Sequence, residues 1–289
     1  MKILTKNPYT GENYRSEGEA RLQEGEVPFL TFRAFEEMPW ILQGFSTRLG
    51  GVSRGIWESM NLSFSRGDEP EAVEENFRRI AGAVGFDPER IVFSDQIHKT
   101  EILRVSEEEA CGANLREKKL YGIDGLVTDC PGIVLSTSYA DCVPVFLADP
   151  VHRAIAAVHS GWRGTVGKIG TKAVARMGEE FGSLPEDLVA VIGPSICASC
   201  YEVSEEVAAA FREAFSEKDC ERFLYAKGSG KYQLDLWLAC KCALTEAGLP
   251  EESVHISGVC TSCNRELLWS HRATGGKRGN MLGFLGIRE

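Results

Sequence analysis

The 289-residue chain contains no uninterrupted apolar run approaching the ~20 residues needed to cross a bilayer. Its opening, Met1 to Tyr14, lacks the apolar core of a signal peptide. These absences predict a cytoplasmic protein with no membrane partner. No Lys/Arg run is longer than a pair, the net charge is -10 and the pI is about 5.2. A nucleic-acid partner is therefore not expected, and a small molecule is. No repeat, low-complexity tract or linker divides the sequence, which predicts one compact domain over residues 1–289. Within it, residues 1–27 are polar and Gly/Glu-rich and read as a loose or edge-forming peripheral segment. The length is enough to bury a core without covalent staples, and a monomer or homodimer is expected.

Cysteine, in contrast, is plentiful, with ten residues scattered along the chain. In an intracellular setting such thiols stay reduced, so disulfides are not expected. Cys197-Ala198-Ser199-Cys200 and Cys260-Thr261-Ser262-Cys263 have the spacing of half-sites for zinc. They lack the compact separation of a zinc ribbon, so small buried thiols beside turns are the favoured reading.

Strands are expected at Pro28 to Phe32 and Ile41 to Phe45, followed by a Gly-rich loop, Gly44 to Gly55, that carries Arg48 and Arg54. Asp68 is placed to cap a helix from about Glu71 to Val84, with Val73, Phe77, Ile80 and Val84 on its buried face. A β-rich stretch follows: Ile91 to Ser94, Thr100 to Val105, Gly125 to Thr128, Ile133 to Ser138, Val143 to Leu147 and Ala154 to His159. Several of these runs are apolar without alternation, which predicts strands covered on both faces. One helix is expected from Gly164 to Phe181, its N-terminus favouring an anion near His159 and Arg163. Further helices are expected at Ser204 to Phe215 and Gln233 to Ala247, and strands at Leu188 to Ile192, Val254 to Ser257 and Gly283 to Ile287. The fold class is α+β.

Candidate chemistry sits where apolar strands end. Ser138-Tyr139-Ala140-Asp141-Cys142 presents a thiol, Ala157-Val158-His159-Ser160-Gly161-Trp162-Arg163-Gly164 an imidazole, and Asp95-Gln96-Ile97-His98 a second imidazole. Two His and one Cys make three zinc ligands with a fourth position open, the arrangement of a catalytic rather than a structural site. His152, His255 and His271 lack that context and read as ordinary polar residues. Asp141 is either an orienting group for a histidine or a turn residue satisfied by backbone. Trp162 and Tyr139 either flank a flat heterocycle or fill the core.

Taken in order, these motifs resemble the laccase-domain family of zinc-containing purine nucleoside phosphorylases, long described as multicopper polyphenol oxidases, whose members also deaminate adenosine. The residues carrying the likeness are Gly44 to Ser53 with Met60-Asn61-Leu62, Asp95 to His98, Asp124 to Thr128, Ala140 to Pro144 and Ala157 to Gly164. Gly193 to Ile196, Cys200 to Val203 and Cys260 to Cys263 complete the set. The resemblance implies a layered α/β/β/α sandwich with mixed sheets and places the metal on His98, Cys142 and His159. It implies adenosine and inosine as substrates, with S-methyl-5′-thioadenosine a further candidate, and phosphate as co-substrate. Cys142, His159 and Asp141 are the expected catalytic residues, and Arg48, Asn61 and Arg163 the expected binders of substrate or phosphate. Ser270-His271-Arg272-Ala273-Thr274-Gly275-Gly276 departs from the family, which carries an Asp beside the arginine here.

Two other chemistries use the same residues. A metal-free cysteine hydrolase or amidase would take Cys142 as nucleophile and His159 as base. A copper oxidase would need a weak axial ligand such as Met, and none of the five methionines lies in the segments that carry His98, Cys142 and His159, so copper is the less favoured metal.

Overall fold

The computed structural model describes residues 3–6, 18–117 and 120–289. The expected peripheral opening lies partly outside the described residues; within it, Ala20–Gln23 forms the edge strand of a sheet.

Two sheets packed face to face make the centre of the fold. The seven-stranded sheet runs, in spatial order, Ala20–Gln23, Phe29–Phe32, Ile41–Ser46, Met281–Ile287, Val134–Tyr139, Ile91–Asp95 and Leu120–Tyr121. The six-stranded sheet runs Val254–Ile256, Val189–Ile192, Val143–Asp149, Ala154–Ser160, Gly125–Thr128 and Ile102–Arg104. Both mix parallel and antiparallel pairs.

The unalternating apolar runs arise because both faces of the central strands are covered. Along Val143–Asp149, Phe146 and Ala148 face the space between the sheets, where they meet Leu135, Phe45 and Leu285. Val145 and Leu147 point the other way, toward the helices Ile169–Phe181 and Leu236–Glu246. The strand period of two puts successive side chains on opposite faces, so a strand between two apolar layers needs apolar residues at every position. On the outer face of the seven-stranded sheet, Val73, Phe77, Ile80 and Val84 of the helix Pro70–Val84 pack on Leu42, Ile91, Phe93, Val134 and Phe284. The order of layers is thus helix, sheet, sheet, helices, the α/β/β/α sandwich expected, in a single domain. At the closest approach of the sheets a Cβ on Gly283 would fall 2.5 Å from Phe146 Cζ, so only glycine fits beneath that ring.

Three local expectations are corrected. Asp68 does not cap the helix at Pro70–Val84; its carboxylate instead accepts from Ser53 Oγ at 2.6 Å and Asn61 Nδ2 at 2.9 Å, while Pro70 opens the helix with its fixed φ. The helix expected from Gly164 is split into Trp162–Val166 and Ile169–Phe181. Gly167 approaches Thr100 too closely for a Cβ and Lys168 takes a φ of +57°, which breaks the helical ladder between them. With five residues, the first piece sums too few peptide dipoles for the anion-attracting terminus expected there. A three-stranded sheet (Glu202–Ser204, Lys231–Leu234, Leu224–Gly228) and the helix Glu217–Phe223 had no counterpart in the sequence pattern.

Candidate active site

The segment Ala140-Asp141-Cys142 joins Val134–Tyr139 of one sheet to Val143–Asp149 of the other. Such a change of sheet needs a sharp corner, and Asp141 makes it with a φ of +91°. Two acceptor bonds hold the corner: Thr261 Oγ1 donates to Asp141 Oδ1 and the Arg272 backbone N–H to Oδ2, each at 2.6 Å. Asp141 is therefore a loop-holding residue, and of its two expected roles that of histidine orienter falls elsewhere.

Cys142 then stands at the head of Val143–Asp149, whose antiparallel neighbour carries His159 opposite Pro144. The register alone brings the thiol and the imidazole side by side. His98 arrives from the seven-stranded sheet, in the loop after Ile91–Asp95. Gln96 ties that loop to the neighbouring strand by accepting from Ser138 N at 2.7 Å and donating to Ser138 O at 3.3 Å. The ligand atoms of His98, Cys142 and His159 all lie within 4.8 Å of one another. Cys142 Sγ is 3.9 Å from His98 Nε2, and the two imidazole rings stand perpendicular with centroids 4.8 Å apart. Gly161 lets the backbone pass close beside them: a Cβ there would lie 3.1 Å from both Cys142 Sγ and His98 Cδ2 and crowd the pair.

The orienting carboxylate is Asp124, which the sequence offered only as part of a strand-entry motif. It is fully buried, yet its two oxygens accept backbone N–H bonds from Ile97, His98 and Lys99 at 3.0–3.1 Å and a bond of 2.8 Å from His159 Nδ1. Burial alone would raise its pKa; the His159 and backbone donors outweigh it and hold the carboxyl below its ordinary value. An ionised carboxylate only accepts, so His159 carries its hydrogen on Nδ1 and turns Nε2 toward Cys142 and the cavity. The same group pins His98 at a φ of +62°, a left-handed conformation that a non-glycine residue keeps only when its backbone is held.

The buried thiol and imidazole perturb one another. Burial opposes charge on Cys142, but His159 and His98 more than offset it and bring its pKa down to about 6. Burial likewise disfavours the His159 imidazolium, while the Cys142 sulfur and Asp124 raise it to about 9. Each charge favours the other, so both shifts run toward a thiolate beside an imidazolium, the state from which a metal ion displaces a proton. Two imidazoles and one thiolate, with His98 exposed toward the cavity and Asp124 behind His159, fit a zinc ion with one position open to solvent.

In front of this triplet lies a cavity of about 470 Å³. Trp162, Tyr201, Ile196 and Leu236 give it flat and apolar walls, and Arg163, Arg272 and Arg278 give it positive charge beside the His271 imidazole. Arg163 lies over the Trp162 ring at 4.2 Å, and Arg272 over Tyr201 at 5.1 Å. Burial and the neighbouring Arg66 press Arg278 down to about 10, so it remains charged at neutral pH. Its Nε and that of Arg66 are buried without a hydrogen-bond partner among the described residues. His271 is lowered by burial and by Arg278, and is therefore neutral at neutral pH.

Two residues expected to bind substrate are placed elsewhere, and Tyr139 takes the core position of its two alternatives. Arg48 is not among the residues lining the cavity: its guanidinium donates to Arg265 O at 3.0 Å and Glu58 O at 2.9 Å and covers the Trp269 ring at 3.8 Å. Asn61 is fully buried, donates to Asp68 and to Ser63 O at 3.2 Å and accepts the Asn280 backbone N–H at 3.0 Å, so it reaches the cavity only through its neighbours Ser63 and Asn280. Tyr139 is a core residue whose hydroxyl donates to Val158 O at 3.0 Å. In the departing segment, Ser270 accepts the Ala273 N–H and starts the short helix His271–Thr274, which delivers His271 and Arg272 to the cavity. Arg278 was missed, standing alone in a polar segment, and His271 and Arg272 were noted only as part of the segment that departs from the family, with no role assigned to them.

No helix among the described residues is long and apolar enough to cross a membrane. The sequence matches the family described as multi-copper polyphenol oxidoreductase laccase over residues 42–288. It is 37% identical over 250 residues to purine nucleoside phosphorylase YlmD of Bacillus subtilis, covering 86% of this chain and 89% of that one. It is 34% identical over 249 residues to adenosine deaminase RL5 of an unknown prokaryotic organism, covering 85% and 93%. The crystal structure of YlmD from Geobacillus stearothermophilus superposes with a TM-score of 0.86 at 33% identity, covering 93% of this chain and 99% of that one. With nearly the whole described domain matched in sequence and in fold, the chain belongs to the multi-copper polyphenol oxidoreductase laccase family.

Proposed function

We propose that this protein is a zinc-dependent purine nucleoside phosphorylase that acts on adenosine and inosine and also deaminates adenosine. The observation that carries the reading is one cavity with the His98/Cys142/His159 triplet, a cluster of arginines and flat aromatic walls. The names of the relatives from Bacillus subtilis and the unknown prokaryote support the two activities.

In phosphorolysis a phosphate oxygen bonds to C1′ of the ribose as the C1′–N9 bond breaks, leaving ribose 1-phosphate and free purine. The sugar carbon becomes cationic on the way, so an anion held against it stabilises the transition state. Arg278, Arg163 and Arg272 hold that phosphate, with the Nε of Arg278 as a donor not used by protein acceptors. Trp162 and Tyr201 flank the purine, and Ile196 and Leu236 exclude water from the bond being broken. Asp124 keeps His159 in one tautomer throughout. When bound, zinc supplies Lewis acidity and lowers the pKa of a neighbouring water toward ~7, which attack on C6 of adenosine requires. S-methyl-5′-thioadenosine fits the reading if the 5′ side of the sugar meets the apolar wall.

A second reading has its own observation. Cys142, His159 and Asp124 form a thiolate, an imidazolium and an orienting carboxylate, the parts of a cysteine hydrolase. The copper oxidase has less support, because no methionine lines the cavity to serve as an axial ligand. Chromatography of adenosine incubations with and without phosphate separates the readings. Phosphate-dependent adenine, together with inosine, is the expected result; unchanged adenosine with a freely alkylated Cys142 sinks the proposal in favour of the hydrolase.

A further inference from the structure

The two Cys-x-x-C segments, 63 residues apart in sequence, meet in space. Val189–Ile192 and Val254–Ile256 are parallel neighbours, paired through Ile192 and Ile256, so both chains leave the sheet at the same end. The pairing continues past the strands: Ser195 N donates to Val259 O and Thr261 N to Ser195 O, both at 3.1 Å, and Ser195 bridges Cys260. The two segments then turn together, and the sulfurs of Cys197, Cys200, Cys260 and Cys263 all fall within 4.8 Å of one another.

We propose that these four cysteines form a second metal site, a tetrahedral four-thiolate centre for one structural zinc ion. Zinc–sulfur bonds of about 2.3 Å in a tetrahedron put the sulfurs about 3.8 Å apart. Cys200 Sγ and Cys263 Sγ stand 3.5 Å apart, close to that edge and far beyond a disulfide bond. Two backbone donors already serve one sulfur: Cys197 N lies 3.3 Å and Cys263 N 3.4 Å from Cys260 Sγ. A neutral thiol is a poor acceptor, so paired N–H donors on one sulfur suit a thiolate.

Cys197 and Cys260 are buried, while Cys200 and Cys263 are partly exposed, which leaves a path for metal entry but no open coordination position. The centre is therefore structural. It holds one wall of the cavity: Ile196 and Tyr201 flank the first pair, and Thr261, inside the second, bonds the Asp141 corner that precedes Cys142.

The site is independent of any substrate, and its test counts metal rather than turnover. In full-length His98→Ala/His159→Ala protein, purified under reducing conditions, elemental analysis is expected to find about one zinc per chain. Cobalt(II) loaded into the same protein is expected to give the thiolate-to-cobalt charge-transfer bands of a four-sulfur tetrahedral site. Adding Cys200→Ser and Cys263→Ser should remove both signals. Iron at the same stoichiometry, lost with the same cysteines, also supports the site and changes only the ion. A folded His98→Ala/His159→Ala protein with no metal and no cobalt–thiolate bands overturns the proposal, whether or not the serine variants fold. So does a Cys200–Cys263 disulfide found under the same reducing conditions.

Discussion

Asp124 and His159 are joined by a 2.8 Å hydrogen bond in which a fully buried carboxylate fixes the tautomer of a fully enclosed imidazole. The same carboxylate gathers three backbone N–H groups of the loop that presents His98. One residue thus aligns two of the three ligands, although it touches neither the cavity nor the metal position. Asp124→Asn keeps the volume but loses the charge and part of the acceptor capacity. We expect metal affinity to fall by roughly 10–100-fold, measured by competition with a chromophoric chelator. Unaltered affinity would remove Asp124 from the account.

Cys142 offers a pH readout in protein stripped of metal. Its pKa is lowered to about 6, so the thiolate predominates above that value and is lost as the pH falls through it. Alkylation by iodoacetamide should therefore rise with a midpoint near 6, and zinc should suppress it. A midpoint near the ~8.5 of a free cysteine would show that His159 and His98 do not act on this sulfur.

Arg278 and Arg48 should part company. Arg278→Ala removes a buried cation from the cavity wall and is expected to raise the KM for phosphate by at least about tenfold, consistent with the loss of a charged hydrogen bond. Arg48→Ala removes two hydrogen bonds to backbone carbonyls and the cover over Trp269, so it should lower unfolding stability by about 1–3 kcal/mol and leave the KM for phosphate nearly unchanged. The opposite pattern would restore Arg48 as the phosphate clamp.

Gly283 tests the spacing of the two sheets. Gly283→Ala forces a methyl against the Phe146 ring and should destabilise the fold by about 1–3 kcal/mol in urea melts. Phe146→Leu, made alone, leaves a smaller side chain in the same place, and the double variant should recover part of the loss. Simple additivity of the two substitutions would argue against direct contact.

The convergence of His98, Cys142 and His159 was legible because each stands at or near the end of an apolar strand, and strand ends can be read locally. Asp124 was not, since its task depends on a neighbouring strand and on a loop that precedes it by some 25 residues. The arginines were hidden for a related reason: Arg272 and Arg278 lie in polar segments near the C-terminus and reach the cavity only because Met281–Ile287 inserts between Ile41–Ser46 and Val134–Tyr139. Arg48 was expected to bind substrate or phosphate, whereas its guanidinium is engaged by the carbonyls of Glu58 and Arg265. The double-sided apolar strands and the single apolar face of Pro70–Val84 were legible from their residues, whereas the α/β/β/α order of the layers was implied only by the family resemblance. The three-stranded sheet escaped notice because its strands are only three to five residues long, too short for a period to show.

The central claim is that nucleoside cleavage takes place at the His98/Cys142/His159 centre. The most direct measurement follows the products formed from adenosine in phosphate buffer by one preparation, first zinc-loaded, then stripped by a chelator and finally reconstituted. The account predicts ribose 1-phosphate with adenine or hypoxanthine from the loaded and reconstituted protein, and a loss of both on stripping. Equal product formation by folded, metal-free protein would contradict it.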